Sequence, residues 1–578
     1  MKFEKLTKYF ERLEATTKRL EMTDILSELF KSIDDYKKEV DKIIYLCQGQ
    51  LLPVFKNVEF GMSEKLVHRA IVEATGMPTD KITAHFRKKG DYGEAVYDLG
   101  CLHPATKTVN DIYEQLNTIA QATGSGAVAK KVGILAGLIR QTSPLEAKYI
   151  VRIILGKLRL GIGDATVLDS LSLACAKNKS LRGKLEVAYN RCSDLGLVAK
   201  ILFTQDFRYI ENFKVIVGCP VRVALAARLS SPKEIIEKIG ECAVETKYDG
   251  FRCQIHKDGD KVTIFSRNLE NTTHMFPEIQ EGTVKQVSSK RAMFEGEALA
   301  YNPDNGEILP FQVTVQRKRK YDIVEMQKRF PLKLFVFDIL YADEWGDVTG
   351  QPYRARREIM DKVVKPGKVL ELSPFKIVKT EKELAEIFDK AVCAGSEGIV
   401  VKRLDAGYQA GGRNFNWIKL KRSYEDKVSD TIDAVIVGYF FGKGQRASFG
   451  IGSLLLCVLD EKGGGFKTIA KAGSGLSEDD LSKLKRILDK CKTATKPKDV
   501  DSVIRPDVWV KPHYVTEVQA DEITRSPIHT CGKTNKNLAG FALRFPRIVK
   551  LIRVEKSVRD ATTVKEIIDI FKIQGRRK

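Results

Sequence analysis

No two of the eleven cysteines stand as C-x-x-C. That absence speaks against a zinc ribbon or a dithiol redox motif, and the odd, unpatterned set fits a reducing interior where Cys acts as a small hydrophobe. No window holds about 18 uncharged apolar residues, so no membrane-spanning helix is expected. The opening stretch, MKFEKLTKYFERLEATTKRLEM, is amphipathic without a continuous apolar core and does not read as a secretory signal. There is no internal repeat and no long low-complexity segment. Acidic residues are in deficit, 75 against 97 Lys and Arg, which leaves a net charge of +22. A surplus of that size points to a polyanionic partner such as nucleic acid, because each cation at a phosphate releases counterions.

With 43% hydrophobic and 30% charged residues, the 578-residue chain has the composition of globular domains and is too long for one core. Three textures divide it. Residues 1–215 read as all-α. Leu6, Phe10 and Leu13 recur at helical spacing, as do Ile25, Leu26, Leu29 and Phe30. Pro144 to Leu160 reads as one helix that Gly161 and Gly163 break, with Asp164 capping the next. Residues 216–424 read as α+β on antiparallel sheet. KYDGFRCQIHKDGDKVTIFSR alternates as two strands about an Asp258-Gly259 turn, and MFEGEALAY, KLFVFDILY and GIVVK are further strands. Helical stretches at 351–364 and 381–393 lie between them. Residues 425–578 hold short strands between Gly-rich turns, which suggests a small OB-fold β-barrel, with a charged helix near 562–573.

The main chemical signal is Lys247-Tyr248-Asp249-Gly250, a lysine at a strand end running into a turn. A nucleophilic amine needs rigid presentation, and a strand end supplies it. Alone the tetrapeptide is weak: K-x-D-G arises by chance in roughly one chain of this length in ten. Other groups follow in order. They are Arg252, Arg267, Glu297 in FEGE, Phe337 in FVFD, Glu397 and Lys402 in SEGIVVK, Arg413, Lys419 and Lys421 in NWIKLK, and Arg544 and Arg547 in RFPR. Singly each has a duller reading: Phe337 as core, Glu297 as an exposed strand residue, Lys419 and Lys421 as a solvated face, Arg413 as a loop charge, RFPR as a basic cap. The ordered set carries the argument.

That series resembles the ATP-dependent DNA ligases within the covalent nucleotidyltransferases, most nearly the replicative ligases of archaea and their eukaryotic counterparts. LPFQVTVQRKRKYD, EAKYIVRIILGKLRLGIGDA, DTIDAVIVGY and ALRFPR extend the likeness over nearly the whole chain. The resemblance implies a helical DNA-binding domain, an adenylation domain and an OB-fold domain. It implies that Lys247 attacks the α-phosphate of ATP and holds AMP. Glu245 then lies near the adenine, Phe337 stacks on it, and Arg267 and Glu297 hold the ribose. Arg252, Arg413, Lys419 and Lys421 neutralise phosphates. Glu297 and Glu397, with Asp433 as a further carboxylate, place Mg²⁺, or Mn²⁺ in its stead. Arg544 and Arg547 face the pyrophosphate. Two departures stand out. Phe251 replaces the Glu that many relatives carry after KYDG, and RVALA at 222–226 replaces a Pro-Met-Leu-Ala type segment.

Covalent nucleotidyl transfer leaves the acceptor open, since capping enzymes and RNA ligases share the lysine chemistry. The helical domain favours duplex DNA, gripped through backbone and minor groove without reading sequence. Lys157, Arg159, Gly161 and Gly163 are the candidates for that surface; the duller reading is a helix end with two flexible glycines. NAD-dependent ligases carry an extra N-terminal segment and a four-cysteine zinc module, neither recognisable here, so ATP is the expected cofactor. The expected partner is nicked double-stranded DNA, and the expected setting is intracellular, as a monomer, in replication, repair and recombination. Sliding-clamp docking is usual in the family, though no glutamine-led aromatic box is recognisable. A flexible linker is expected near 422–430.

Overall fold

The computed structural model describes every residue except 101–105, 310, 318–322, 422–430, 443–448, 462, 534–538 and 577–578. The linker expected near 422–430 therefore lies outside the described residues. The chain forms two compact units. One comprises Met1–Ala227, Glu241–Ile377 and Lys402–Ile418; the other comprises Arg228–Gly240, Val378–Val401 and Lys419–Lys578.

The first unit begins with helices from Phe3–Glu14 to Arg208–Glu211. Leu6, Phe10 and Leu13 are fully buried, as are Leu26, Leu29 and Phe30. Each such side chain contributes about 1.5–3 kcal/mol on leaving water. Capping boxes start Val109–Gln121 (Thr108, Asp111) and Pro144–Ile154 (Ser143, Glu146). The expected helix to Leu160 is corrected: it ends at Ile154, because Gly156 takes a left-handed φ of 63° that terminates it. Lys157 and Arg159 thus sit on a loop. Asp164 is also not the cap. Gly163 holds that position, and the Asp164 carboxylate accepts from Tyr189 and Arg222 instead, each at 2.6 Å.

The same unit carries an antiparallel sheet in the order Lys261–Ser266, Phe251–Asp258, Arg291–Ala300, Leu332–Ala342, Gly346–Asp347, with Leu370–Leu372 added in parallel to Leu332–Ala342. One face is apolar: Cys253, Ile255, Phe294, Ala298 and Val336 pack with Ile279, Ile359, Met360 and Val363 of two helices, Pro277–Gln286 and Tyr353–Val363. Alternation along the strands sends Arg252, Gln254, Glu295 and Glu297 to the opposite face. Two β-bulges shift the pairing of Arg291–Ala300 with Leu332–Ala342. Glu295 faces Asp338 while Gly296 faces Val336, which leaves Phe337 as an inserted residue. The bulge aims its ring away from the apolar face and into a separate cluster with Trp417, Tyr408 and Leu340.

The second unit is built on an eight-stranded sheet with Ile432–Phe440, Ser453–Asp460 and Gly465–Ala472 adjacent at its centre. Both faces are buried. Ile432, Ala434, Ile436, Leu454, Leu456 and Val458 form one core with the helix Glu478–Leu488; Val435, Val437, Leu455, Cys457 and Trp509 form another. A two-stranded sheet pairs Glu522–Ser526 with Gly540–Arg544. The final helix spans Val564–Arg576. None of the described helices is long and apolar enough to cross a membrane.

Candidate functional site

Lys247 is the last residue of strand Cys242–Lys247 and is half-buried. Its amine lies 3.5 Å from the Tyr248 carbonyl. The turn that follows needs Gly250, where a Cβ would stand 2.4 Å from the Ala298 carbonyl oxygen. That close approach lets the Gly250 N–H donate to Glu297 Oε1 at 3.1 Å. Glu297 is directly cross-strand from Arg252. Burial pushes its carboxyl up to about 7, against the opposing pull of Lys247 and then Arg252. The lysine motif and FEGE are therefore joined by a main-chain hydrogen bond and by charge.

Arg252 is held on several sides. It donates to Glu295 at 2.7 Å and to the Ala224 carbonyl at 2.8 Å, and its guanidinium lies 5.4 Å from the ring centres of Phe337 and Trp417. Glu295 is fully buried and also accepts from Tyr408 at 2.8 Å and Gln254 at 3.2 Å. Phe337, half-buried, meets Trp417 edge-on at 5.9 Å.

Glu245 is 3% exposed and sits two residues before the lysine. Lys402, 1% exposed, pairs with its Oε1 at 2.7 Å and donates to the Phe337 carbonyl at 2.7 Å. Tyr353 donates to the same Oε1. Burial holds the Lys402 ammonium below its ordinary range, against the pull of Glu245. Sequence reasoning assigned no role to Tyr353, Glu295 or Tyr408 and named Lys402 only as a motif member. Lone tyrosines and carboxylates have no local signal, and their partners lie up to 184 positions away.

Arg267 and Arg413 are exposed, the first just after strand Lys261–Ser266 and the second at the start of strand Arg413–Lys421. Phe251, at the departure from the family pattern, packs 5.9 Å from both Phe276 and Phe311. At the other departure, Val221 exchanges hydrogen bonds with Gln254 and Arg222 reaches Asp164. Lys157 pairs with Glu64 at 2.5 Å and Arg159 with Asp91 at 3.1 Å. Arg159 (φ 62°) and Gly161 (φ 68°) both adopt left-handed backbone, a strained choice for arginine that functional loops often keep. A cavity of about 510 Å³ lined by Asn190, Arg191, Thr349, Tyr408, Gln409 and Asn416 contains none of the nucleotide residues named above.

In the second unit Glu397 pairs with Lys421. Gly398 follows with φ 145°, and a Cβ there would strike the Leu420 carbonyl, so only glycine admits this approach. Lys419, on the same strand, is half-buried. Arg544 pairs with Glu522 at 2.9 Å and Arg547 with Asp521 at 2.7 Å. Between them Phe545 is 57% exposed at φ 53°. Asp433 is committed to Arg553 at 3.1 Å and Lys556 at 2.5 Å.

Comparison with known proteins accords with these motifs. Family models match in three blocks: the DNA ligase N terminus at residues 2–172, the ATP dependent DNA ligase domain at 223–421 and the ATP dependent DNA ligase C terminal region at 447–556. A "Probable DNA ligase" of Dictyoglomus turgidum is 50% identical over all of this chain and 99% of its own length. "DNA ligase 2" of Thermofilum pendens is 42% identical over 98% of this chain and 97% of its own. The "DNA ligase" of Nitrosopumilus maritimus is 42% identical over 100% and 99%. The solved structure Pmar-Lig_PreS3 shares the fold at a TM-score of 0.53 and 17% identity, covering 94% of this chain and 98% of that one. With its lysine at a strand end, its ordered motifs and relatives of this identity along its full length, the chain belongs to the ATP-dependent DNA ligase family.

Proposed function

We propose that this ligase seals 5′-phosphate/3′-hydroxyl nicks in duplex DNA with Lys247 as the residue that carries AMP. The observation that carries the reading is Lys247 at a strand end, with its turn tied by Gly250 to Glu297. Lys247 attacks the α-phosphate and pyrophosphate leaves. The nick's 5′-phosphate then attacks the lysyl adenylate, and the 3′-hydroxyl displaces AMP. The protein's part is positioning and charge neutralisation rather than covalent complexity.

In this reading Phe337 stacks on adenine, Glu245 meets its edge, and Arg267 and Glu297 hold the ribose. Arg252, Arg413, Lys419 and Lys421 supply positive charge to the phosphates. Arg252 has a second role within the fold, since it also neutralises buried Glu295. Arg544 and Arg547 serve pyrophosphate departure, after which their domain must turn another face to DNA. The domains of this cycle are 1–215, 216–424 and 425–578.

Among the described residues no three Asp, Glu, His or Cys side chains form a metal cluster. Mg²⁺ does not need one, because it keeps waters and takes one or two carboxylates plus substrate phosphates. Glu297 and Glu397 are each carboxylates of the donor type that Mg²⁺ takes, and Mn²⁺ takes the same oxygen donors. When bound, the ion neutralises phosphate charge. Asp433, already paired with two cations, is the weaker candidate. Lys157, Arg159, Gly161 and Gly163 are the proposed DNA-backbone surface. The remaining assignments, monomeric and intracellular action in replication, repair and recombination and a sliding-clamp partner, rest on family resemblance.

The acceptor test is direct. Adenylated enzyme is mixed with nicked DNA and, separately, nicked RNA duplex. Discharge on DNA at least about tenfold faster is expected, a difference of 1.4 kcal/mol in barrier. Faster discharge on RNA would overturn the acceptor while leaving the lysine chemistry.

A further inference from the structure

Glu245 is buried, and two buried donors meet on one of its oxygens. Tyr353 opens helix Tyr353–Val363 directly after Pro352 and is 1% exposed. Its main-chain N–H donates to the Ala406 carbonyl at 3.0 Å, and its ring packs edge-on to Phe375 at 6.4 Å. Both contacts fix where the hydroxyl points. That hydroxyl and the Lys402 ammonium converge on one oxygen of Glu245, Oε1. Lys402 is itself fixed by the Phe337 carbonyl and lies 4.5 to 4.9 Å from the ring centres of Trp417, Tyr353 and Phe337.

Two donors on Oε1 leave Oε2 with its acceptor capacity. An ionised carboxylate can only accept, so the group that completes Oε2 must donate. The 6-amino group of adenine donates. A purine without that group leaves the carboxylate short of a partner, the situation in which polar sites discriminate most strongly. Lys402 alone would not fix the direction of Oε2, because an ammonium is a point charge with rotatable donors. A phenol anchored at its ring and main chain supplies the missing constraint. Burial and the adjacent Glu245 hold the Tyr353 hydroxyl well above its ordinary range, so it remains a donor across the working pH.

We propose that Tyr353 is a positioning residue for base selection, which holds Glu245 Oε1 so that Oε2 accepts from the 6-amino group of ATP. This rests on the reading that Glu245 meets the adenine edge. The test measures lysyl-AMP formation with ATP and with purine riboside triphosphate, which lacks the 6-amino group, in the wild type and in Tyr353→Phe. The Phe variant keeps the ring and its packing. The wild type should prefer ATP. Tyr353→Phe should lose about tenfold in kcat/KM for ATP, through KM, with the analogue unchanged. An equal loss on both nucleotides, or no loss on either, would overturn the role of Tyr353. In those cases a wild-type preference for ATP would leave the reading of Glu245 standing. A wild type that does not distinguish the two nucleotides would overturn that reading and the proposal together.

Discussion

Burial pushes the Glu297 carboxyl up to about 7, while the lysine and arginine beside it pull the other way. The sign of the consequence follows. Below the unfolded value of 4.5 the group is protonated in both states and costs nothing; as pH rises toward about 7 the folded state must ionise a buried acid. Ionisation therefore opposes folding above about 4.5 and reaches its full cost above about 7. The ribose and Mg²⁺ roles proposed for Glu297 need the carboxylate. Lysyl-AMP formation should accordingly rise with pH to a midpoint near 7, and Glu297→Gln should be slow and lack that limb. A stopped-time adenylation profile from pH 5 to 9 checks it; an unchanged acid limb in the variant would assign the titration elsewhere. At this scale the reactive groups are readable in sequence because each belongs to a short motif. Their holders are not. Tyr353 and Lys402 act on Glu245 across 108 and 157 positions; Lys402 stands in the SEGIVVK motif, which does not show its partner, and Tyr353 has ordinary local surroundings that announce nothing.

Elements decide whether those residues meet. Alternation along strands predicts which residues share a sheet face, and Arg252 with Glu297 follows that rule. The bulge at Phe337 does not follow from alternation, because an inserted residue has no signature in a run of apolar side chains. Likewise the helix after Pro144 stops at Ile154, six residues short of the expected Leu160. Gly156 acts as its terminator, although Gly161 and Gly163 are the more conspicuous breakers in sequence. Glycine also matters where strands touch. A methyl at Gly250 would lie 2.4 Å from the Ala298 carbonyl oxygen and 3.0 Å from Leu299 Cγ. Gly250→Ala should cost about 1–3 kcal/mol of stability, the usual price of overpacking. It should also slow adenylation about tenfold or more by moving the N–H that Glu297 accepts. Urea melts and single-turnover adenylation together separate the two effects; a variant with wild-type adenylation would show that this hydrogen bond does not position the site.

At the scale of the whole molecule, the +22 charge and the three-block motif order point to the same chemistry. The helical N-terminal region, the central α+β region and the C-terminal region of short strands follow from periodicity and turn residues, while the adenylation role of the centre rests on the family match. What periodicity does not reveal is how the structural units partition the chain. The second unit takes in Arg228–Gly240 and Val378–Val401 as well as the C-terminal part, an arrangement set by tertiary packing rather than by sequence order. In the proposed cycle AMP is first held on Lys247, so every later step depends on that first covalent one. Incubation with α-labelled ATP and Mg²⁺, followed by denaturation, therefore tests the account most directly, with Lys247→Ala beside the wild type. A label that survives denaturation, is lost in acid, is absent from Lys247→Ala and is discharged by nicked DNA is the predicted result. A surviving label in Lys247→Ala, or none in the wild type, would contradict it.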